Sequence, residues 1–307
     1  MPRPASSPTK ALEKSVAHCY STWGTSYFDD YYRSPAAYPP VHVDIVRKAL
    51  RKHGAKSVLD AGCGPASMLR LLRAQGKTRY GFDLTPEMAA EAQRVLGAQG
   101  VPEANTWLGS VLDPAAYRLP GRRPRPDAAI CFGVLPHVRD RDDKRVFRNL
   151  RGAVRPGGLV LVEARNELFS LFTANRYSHA FITERLAAVD DLLAAAGGER
   201  ESLARALEQF TSLFRMDLPP VRRGKESEPG YDEVLSRTHN PFTAREQFER
   251  AGFRDVKVLF YHYHCLPPLL ESAAPALFRA RSVAMEKPDD WRGHFMASAF
   301  ILSGVAS

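Results

Sequence analysis

The sequence predicts a doubly wound α/β fold, in which helices cover both faces of a parallel sheet. Short apolar segments alternate with longer amphipathic ones between residues 57 and 162, as expected of strands joined by crossover helices. A glycine-rich break separates the first apolar segment from the first amphipathic one. A further helix and two long apolar segments near the end bring the predicted sheet to seven strands.

The first five strands are short apolar runs, each bounded by residues that turn the chain. They lie at 57–60, 80–83, 106–108, 127–132 and 159–162. The helices between them follow from apolar residues spaced three or four apart. Thr85 and Pro86 suit the start of the second helix, as N-cap and first helical residue.

The alternation fails after strand five, which predicts a helical insertion at residues 166–240. Its apolar residues form two stripes at helical spacing, made of Leu186, Val189 and Leu193, and of Leu203, Leu207, Phe210 and Phe214. A polar stretch containing Pro and Gly at 219–230 predicts a closing loop.

The sheet pattern resumes after the insertion. Thr243-Ala244-Arg245-Glu246 matches a capping box, which predicts a helix that starts there and ends at Gly252. Strands six and seven are predicted at 256–264 and 294–302.

Composition limits the class of protein. The chain has 307 residues, of which 44% are hydrophobic and 25% charged, as in ordinary globular proteins. It lacks a long apolar run, and residues 1–10 are rich in Pro and Ser, so we expect neither a membrane helix nor a secretory signal. The net charge of +9 fits either a composition bias toward arginine or a polyanionic partner.

The cysteines and histidines give no sign of a metal centre. Cys19, Cys63, Cys131 and Cys265 are scattered without a CxxC pair, which indicates neither a zinc ribbon nor a disulfide framework and favours a reducing cytoplasm. His262 and His264 are spaced like metal ligands, but no cluster of Cys or carboxylate residues accompanies them. We therefore expect no metal.

The strongest motif joins the first strand to the first helix. Asp60-Ala61-Gly62-Cys63-Gly64 is a glycine-rich turn that lets a ligand approach the backbone closely. Asp83 follows 23 residues after Asp60, at the end of the second strand, where a carboxylate can accept hydrogen bonds from ribose hydroxyls. Both features would also suit a dinucleotide. Asp60 would repel a pyrophosphate, however, and Ser67 stands where a dinucleotide site would have its third glycine.

These residues resemble the motifs of class I S-adenosylmethionine-dependent methyltransferases, which have a Rossmann-like fold. Residues 60–64 are similar to the family's first motif, and residues 81–88 to its second-strand motif. The segment 133–138 resembles the ubiquinone-biosynthesis-type branch of small-molecule methyltransferases. The resemblance covers about residues 41–165 and 241–307.

The resemblance implies S-adenosyl-L-methionine as cofactor, with Asp83 on the ribose and Asp60 on the methionine ammonium, directly or through water. The family often has an acid after strand three that contacts the adenine amino group. This chain has Ser110 there, whose hydroxyl can accept the same bond, and Ala66 replaces the third family glycine. The residues expected to bind the cofactor are Asp60, Gly62, Cys63, Gly64, Asp83, Leu84, Met88, Ser110, Val111, Phe132, Gly133 and Tyr27.

The N-terminal region carries an aromatic stripe at helical spacing, made of Tyr20, Trp23, Tyr27 and Tyr31. A helix packed on the core and a lid over the cofactor would both show it. The resulting domain prediction is lid helices at 1–40, a cofactor-binding core at 41–165, a substrate cap at 166–240, and the last part of the core at 241–307.

The family reaction is an in-line attack on the sulfonium methyl group, and it needs a base only if the nucleophile must lose a proton. The residues predicted as catalytic are His137, Glu167 and His179. Those predicted to bind the substrate are Asn166, Asn175, Tyr177, His239, His262 and His264. Polar groups among apolar ones suit a pocket, and each of these residues also suits a structural role in a helix, strand or turn.

The predicted function is methyl transfer from S-adenosylmethionine to the oxygen, nitrogen or carbon of a small molecule, in specialised, cofactor or sugar metabolism. A nucleic-acid methyltransferase is the first alternative, but Phe132-Gly133-Val134-Leu135 lacks the Asp/Asn-Pro-Pro-aromatic and Pro-Cys signatures of base-modifying enzymes. A protein that binds the cofactor without turnover is the second. The intact glycine loop with Asp60 and Asp83 argues against it.

Overall fold

The computed structural model describes residues 8–21, 27–33, 38–73, 76–218 and 234–307. The loop predicted at 219–230 and the aromatic position Trp23 lie outside these residues. The side chain of Tyr31 also lies outside the description.

The described residues form one sheet of seven strands in the order β3-β2-β1-β4-β5-β7-β6. The strands are β1 (Ser57–Ala61), β2 (Thr78–Asp83), β3 (Thr106–Leu108), β4 (Ala128–Cys131), β5 (Leu159–Arg165), β6 (Phe253–Tyr263) and β7 (Ala297–Ala306). Strands β1 to β5 pair in parallel, whereas β7 runs antiparallel to β5. This confirms the predicted Rossmann-like α/β fold. The strand order reverses between β1 and β4, where such sheets bind ligands.

The α-helices alternate with the strands through the first part of the chain. They are α1 (Pro8–Ser21), α2 (Val41–Lys52), α3 (Ser67–Leu71), α4 (Pro86–Gly97), α5 (Asp143–Ala153), α6 (Arg176–Ala180), α7 (Val189–Ala195), α8 (Arg200–Thr211), α9 (Pro241–Arg250), α10 (Pro275–Ala284) and α11 (Gly293–Met296). Among the described helices, none is long and apolar enough to cross a membrane.

The central strands are buried on both faces. Val58, Leu59, Ile130, Val160 and Leu161 have no exposed surface, as expected for the nearly continuous apolar runs of parallel strands covered by helices. Burying one side chain of this kind contributes about 1.5–3 kcal/mol. This packed centre fixes the positions of the residues at the carboxyl ends of β1 and β4.

The chain divides into two compact units. The first comprises the described residues of Met1–Arg165, Val221–Leu259 and Ala299–Ser307, and the second those of Asn166–Pro220 and Phe260–Ser298. The second unit contains α6, α7 and α8, which lie in the region predicted to be helical. The four-segment domain organisation stays a prediction.

Helix α9 begins earlier than the capping-box pattern predicts. The side-chain oxygen of Asn240 accepts a hydrogen bond from the Phe242 amide at 3.0 Å, and Pro241 occupies the first helical position. Asn is a strong N-cap, and the fixed φ of Pro suits the first turn. These two residues therefore start the helix before Thr243, and the predicted start was wrong. The helix ends at Arg250, and Gly252 follows with a φ of +92°.

Candidate active site

A cavity lies where β1, β2 and β4 end. Its lining comes from parts of the first unit: α1, Tyr27 and Tyr32, the loop 62–65, the end of β2 with α4, the segment 109–112 after β3, and a segment that starts at 132 after β4. The empty volume of the cavity, including its open mouth, is about 1080 Å³. An open cavity lined by apolar side chains and a few polar groups is typical of a small-molecule site.

The glycine loop after β1 brings bare backbone to the cavity wall. Gly62 has a φ of +82°, and a Cβ built on it would lie 2.4 Å from Val134 Cγ2. The amides of Gly62 and Cys63 donate to the Phe82 carbonyl at 2.8 and 2.9 Å. Gly64 has a φ of +52° and no atom within 4 Å of its ideal Cβ position. A ligand can therefore approach the backbone at Gly64 closely.

Asp83, at the end of β2, joins this loop to the strand. Its Oδ2 accepts from the Gly64 amide at 2.8 Å, and its Oδ1 accepts from the Thr85 amide at 2.9 Å. Each carboxylate oxygen has a second lone pair. Asp83 lines the cavity, where a carboxylate can accept hydrogen bonds from ribose hydroxyls.

Asp60, in β1, is a buried acid with one unpaired oxygen. Its side chain is almost fully buried, and its Oδ1 has no hydrogen-bond partner. Burial raises the pKa of Asp60 well above its ordinary value, and the nearby charge of Asp83 raises that pKa further. A buried, unpaired carboxylate is costly, and a positively charged ligand group would offset that cost. The residues present therefore fit the cationic methionine end of the expected cofactor.

Ser110 follows β3, which is separated from β1 by β2 in the sheet. Its Oγ accepts from the Leu112 amide at 3.0 Å and donates to the carboxylate of Glu13 on α1. Both Ser110 and Glu13 line the cavity. Helix α1 thus supplies an acidic group beside Ser110, which the motif analysis did not identify.

His137 contacts α1 at a second place. Tyr20 Oη lies 2.8 Å from His137 Nε2, and His137 Nδ1 lies 2.7 Å from the Leu235 carbonyl oxygen. A carbonyl oxygen only accepts, so we infer that Nδ1 carries the proton and that Nε2 accepts from the Tyr20 hydroxyl. Burial lowers the pKa of His137 to about 4. His137 is therefore neutral near pH 7, and this contact holds α1 beside the cavity.

All the residues predicted to bind the cofactor line this one cavity. They are Tyr27, Asp60, Gly62, Cys63, Gly64, Asp83, Leu84, Met88, Ser110, Val111, Phe132 and Gly133. The structure brings them together from five separate stretches of sequence. Their contacts with the cofactor stay a prediction.

The three residues predicted as catalytic fall in different places. His137 lines the cavity, whereas Glu167 and His179 belong to the second unit. Glu167 Oε1 lies 3.0 Å from Arg185 Nε. His179 Nε2 lies 2.9 Å from Thr211 Oγ1. Both side chains therefore have partners within the second unit, and their catalytic roles stay predictions.

Two of the predicted substrate-binding residues hold the backbone of the second unit. The side-chain Nδ2 of Asn166 donates to the carbonyls of Gly293, His294 and Ala297 at 3.2, 2.8 and 2.8 Å. Asn175 caps α6, since its side-chain oxygen accepts from the Tyr177 amide at 2.9 Å. The Tyr177 side chain is exposed. The structure thus gives both asparagines bracing roles, and a role in substrate binding stays a prediction.

The three predicted substrate histidines lie in two places. His262 and His264, in the second unit, stack with ring centroids 5.2 Å apart, and burial lowers the pKa of His264 to about 4. His239, in the first unit, lies 2.8 Å from Arg237 Nη2 and 3.4 Å from Asp143 Oδ2 through its Nε2. In the part of the chain that the structure describes, no group of three or more metal-ligating side chains could hold an ion.

Several residues that line the cavity, or bond to its lining, are not among those predicted from the sequence. Glu13 lines the cavity from α1, and Tyr32 lines it as well. His42 Nε2 lies 3.2 Å from the Tyr32 hydroxyl, and burial lowers the pKa of His42 to about 4. The helical spacing placed Tyr31 in the aromatic stripe, whereas its neighbour Tyr32 lines the cavity. Glu13 and His42 sit in no motif, so only their three-dimensional placement identifies them.

A family model described as a methyltransferase domain matches residues 43–258, more than half of the chain. No curated protein matches the chain. Several solved structures, by contrast, match the chain. Phosphoethanolamine N-methyltransferase 2 from Haemonchus contortus, in complex with phosphomonomethylethanolamine and S-adenosylhomocysteine, is 13% identical, over 99% of this chain and 61% of that chain, with a TM-score of 0.52. This likeness supports the fold.

Two further structures are similar. Magnesium protoporphyrin IX methyltransferase from Synechocystis PCC 6803, with bound S-adenosylhomocysteine, is 17% identical, over 96% of this chain and 100% of that chain, with a TM-score of 0.48. An O-methyltransferase family protein from Burkholderia thailandensis is 15% identical, over 87% of this chain, with a TM-score of 0.45. The chain spans 55% of the length of the latter protein.

Proposed function

We propose that this chain, which belongs to the methyltransferase domain family and uses S-adenosylmethionine, transfers the methyl group to a small-molecule acceptor through oxygen, nitrogen or carbon. The observation that carries the proposal is the charge of the cavity lining. Glu13, Asp60, Asp83 and Asp142 are acidic, and Arg139 is the one lysine or arginine among the described lining residues. Such a lining favours a cationic donor and opposes the phosphates of a nucleic acid.

The chain's own residues hold the donor and shape the site around it. When bound, the donor supplies a methyl group that its sulfonium charge has already activated. Asp60 would hold the ammonium, Asp83 the ribose hydroxyls, and Gly64 would leave space for the ligand against the backbone. Fixing two reacting groups in line can contribute about 7–11 kcal/mol to a rate enhancement. Positioning is therefore the protein's main task.

We assign His137 a positioning role in the arrangement described. Its Nε2 accepts from the Tyr20 hydroxyl, and its pKa of about 4 makes it a weak base. An efficient general base has a pKa near the working pH. His137 would accept a proton from the acceptor only after its contact with Tyr20 breaks, so its first effect is to hold α1 beside the donor.

Binding of S-adenosylhomocysteine is expected to depend on pH through Asp60. The ligand ammonium pairs with the ionised carboxylate, so protonation of Asp60 opposes binding. Because the pKa of Asp60 is raised well above its ordinary value, affinity should fall as the pH falls through that raised pKa and level off above it.

Calorimetric titrations between about pH 5 and 8 test this expectation, since below the pKa the affinity changes by about tenfold per pH unit. Asp60→Asn should bind more weakly and show a shallower pH dependence, since Asp83 keeps a pKa that burial raises, whereas Asp113→Asn, at an exposed acid, should keep the wild-type dependence. A wild-type affinity that does not vary over this range contradicts the role given to Asp60.

The acceptor class is tested with S-adenosylmethionine that carries a tritiated methyl group. The wild-type chain is incubated separately with a small-molecule metabolite extract and with total RNA and DNA. We expect label in the small-molecule fraction, and its loss with Asp60→Asn. Label in the nucleic acid would overturn the proposal in favour of a nucleic-acid methyltransferase. Donor binding without label in any fraction would overturn it in favour of a protein that binds the donor without turnover.

A further inference from the structure

We propose that Glu13, on α1, accepts a hydrogen bond from the amino group of the donor's adenine and selects this base over others. The proposal concerns the donor alone. It does not depend on the class of acceptor proposed above.

The order of polar groups along the sheet edge sets the direction of the ligand. Asp60 belongs to β1, Asp83 ends β2, and Ser110 follows β3, and these three parallel strands are neighbours in the order β3-β2-β1. Neighbouring strands lie about 4.7–4.9 Å apart. If the cationic end of the donor lies at Asp60 and the ribose at Asp83, the base extends toward Ser110.

Apolar side chains of the cavity lining are suited to a flat heterocycle. Leu84 and Met88 line the cavity from the end of β2 and from α4, and Leu12 lines it from α1, one residue before Glu13. These apolar side chains can cover the faces of a base. Within this apolar wall, the edge of the base would meet the polar pair formed by Ser110 and Glu13.

Glu13 is held so that it offers a hydrogen-bond acceptor at that edge. The Ser110 hydroxyl accepts from the Leu112 amide at 3.0 Å and gives its only hydrogen to Glu13 Oε1. This bond occupies one lone pair of the carboxylate, which has about four. An ionised carboxylate has no hydrogen to donate. It would accept from the exocyclic amino group of adenine and repel the carbonyl oxygen that hypoxanthine carries at the same position.

A purely mechanical role for Glu13 makes a different prediction. If the bond to Ser110 only fastens α1 beside the cavity, its loss would weaken binding of every nucleosyl ligand equally. Recognition of the amino group would instead change the ratio of affinities for two ligands that differ at this edge of the base. The ratio therefore separates the two roles, whatever happens to the absolute affinity.

The test is calorimetric titration of the full chain with S-adenosylhomocysteine and with S-inosylhomocysteine, in which a carbonyl oxygen replaces the amino group and the neighbouring N1 carries a hydrogen. For the wild type we expect the adenosyl ligand to bind at least about tenfold more tightly. In Glu13→Gln the side chain can both donate and accept, so the ratio should fall to about threefold or less. Lys14→Gln, at the adjacent exposed position on α1, should keep the wild-type ratio.

Three outcomes would overturn the proposal. The first is a wild-type chain that binds both ligands equally. The second is a Glu13→Gln variant that weakens both ligands by the same factor, which is the result expected of a fastening role. The third is a folded wild-type chain that binds neither ligand, and this outcome would also remove the donor assignment. Thermal unfolding of each variant checks that it folds.

Discussion

Replacing Asp83 with alanine is expected to weaken the binding of S-adenosylhomocysteine by about a hundredfold, ~2.7 kcal/mol. The carboxylate is expected to accept hydrogen bonds from the ribose, and bonds to a charged group contribute about 1.5–3 kcal/mol each. The same carboxylate accepts from the Gly64 and Thr85 amides. Its loss therefore also loosens the loop that faces the ligand.

Two companion variants separate these causes. Asp83→Asn keeps the shape of the side chain and one acceptor oxygen, so it should bind with an affinity between those of the wild type and the alanine variant. Asp44→Ala removes an exposed carboxylate of α2 and should leave the affinity unchanged. Calorimetric titration gives all four dissociation constants. An Asp83→Ala affinity within about threefold of the wild type, less than 1 kcal/mol, would show that Asp83 does not contact the ribose.

Replacing Gly62 with alanine is expected to lower the free energy of unfolding by about 2–5 kcal/mol. Its φ of +82° places the residue in the left-handed region, which costs an ordinary residue about 1–2 kcal/mol. The added Cβ would also lie 2.4 Å from Val134 Cγ2, and overpacking of this kind typically costs about 1–3 kcal/mol. Denaturant unfolding followed by circular dichroism measures the change.

The surrounding residues supply the controls for this prediction. In Gly62→Ala with Val134→Ala, the clashing methyl group is gone, so part of the lost stability should return while the backbone strain remains. Gly64→Ala adds a Cβ with no atom within 4 Å. It should cost less stability than Gly62→Ala but still reduce ligand binding, because the new methyl group enters space that the ligand approaches. Equal stability of the two single variants would contradict the described loop geometry.

Sequence patterns predicted those parts of the site that are formed by residues close together in the chain. A buried apolar run, a turn that needs glycine at Gly62, and an acid at the end of the next strand all follow from residues near one another in sequence. Parallel strands then place Asp60 and Asp83 at one edge of the sheet. The cofactor-binding prediction therefore coincides with the lining of a single cavity.

Contacts distant in sequence could not be predicted in this way. Glu13 and Ser110 are 97 positions apart, and no periodic pattern links an exposed-looking acid in a helix to a loop after β3. Helix α1 has a regular amphipathic sequence, but the surface against which it lies depends on the assembled sheet. Its contribution to the site becomes visible only in three dimensions.

Two further differences between the sequence prediction and the structure have local physical reasons. The turn Asp29–Arg33 is a π-helix, which takes up an extra residue per turn, so a spacing based on 3.6 residues passed over Tyr32. The direction of β7 was also not predictable, because an apolar run has the same pattern in parallel and antiparallel strands. The antiparallel pairing of β7 with β5 in the folded sheet sets the direction of β7.

We propose that the carboxyl ends of β1, β2 and β3 bind the methyl donor, and titration of the wild-type chain with S-adenosylhomocysteine is the first test of this proposal. We predict one binding site per chain with a micromolar dissociation constant, about −8 kcal/mol. A chain whose circular dichroism shows it to be folded, and which gives no binding heat at two temperatures, would contradict the claim.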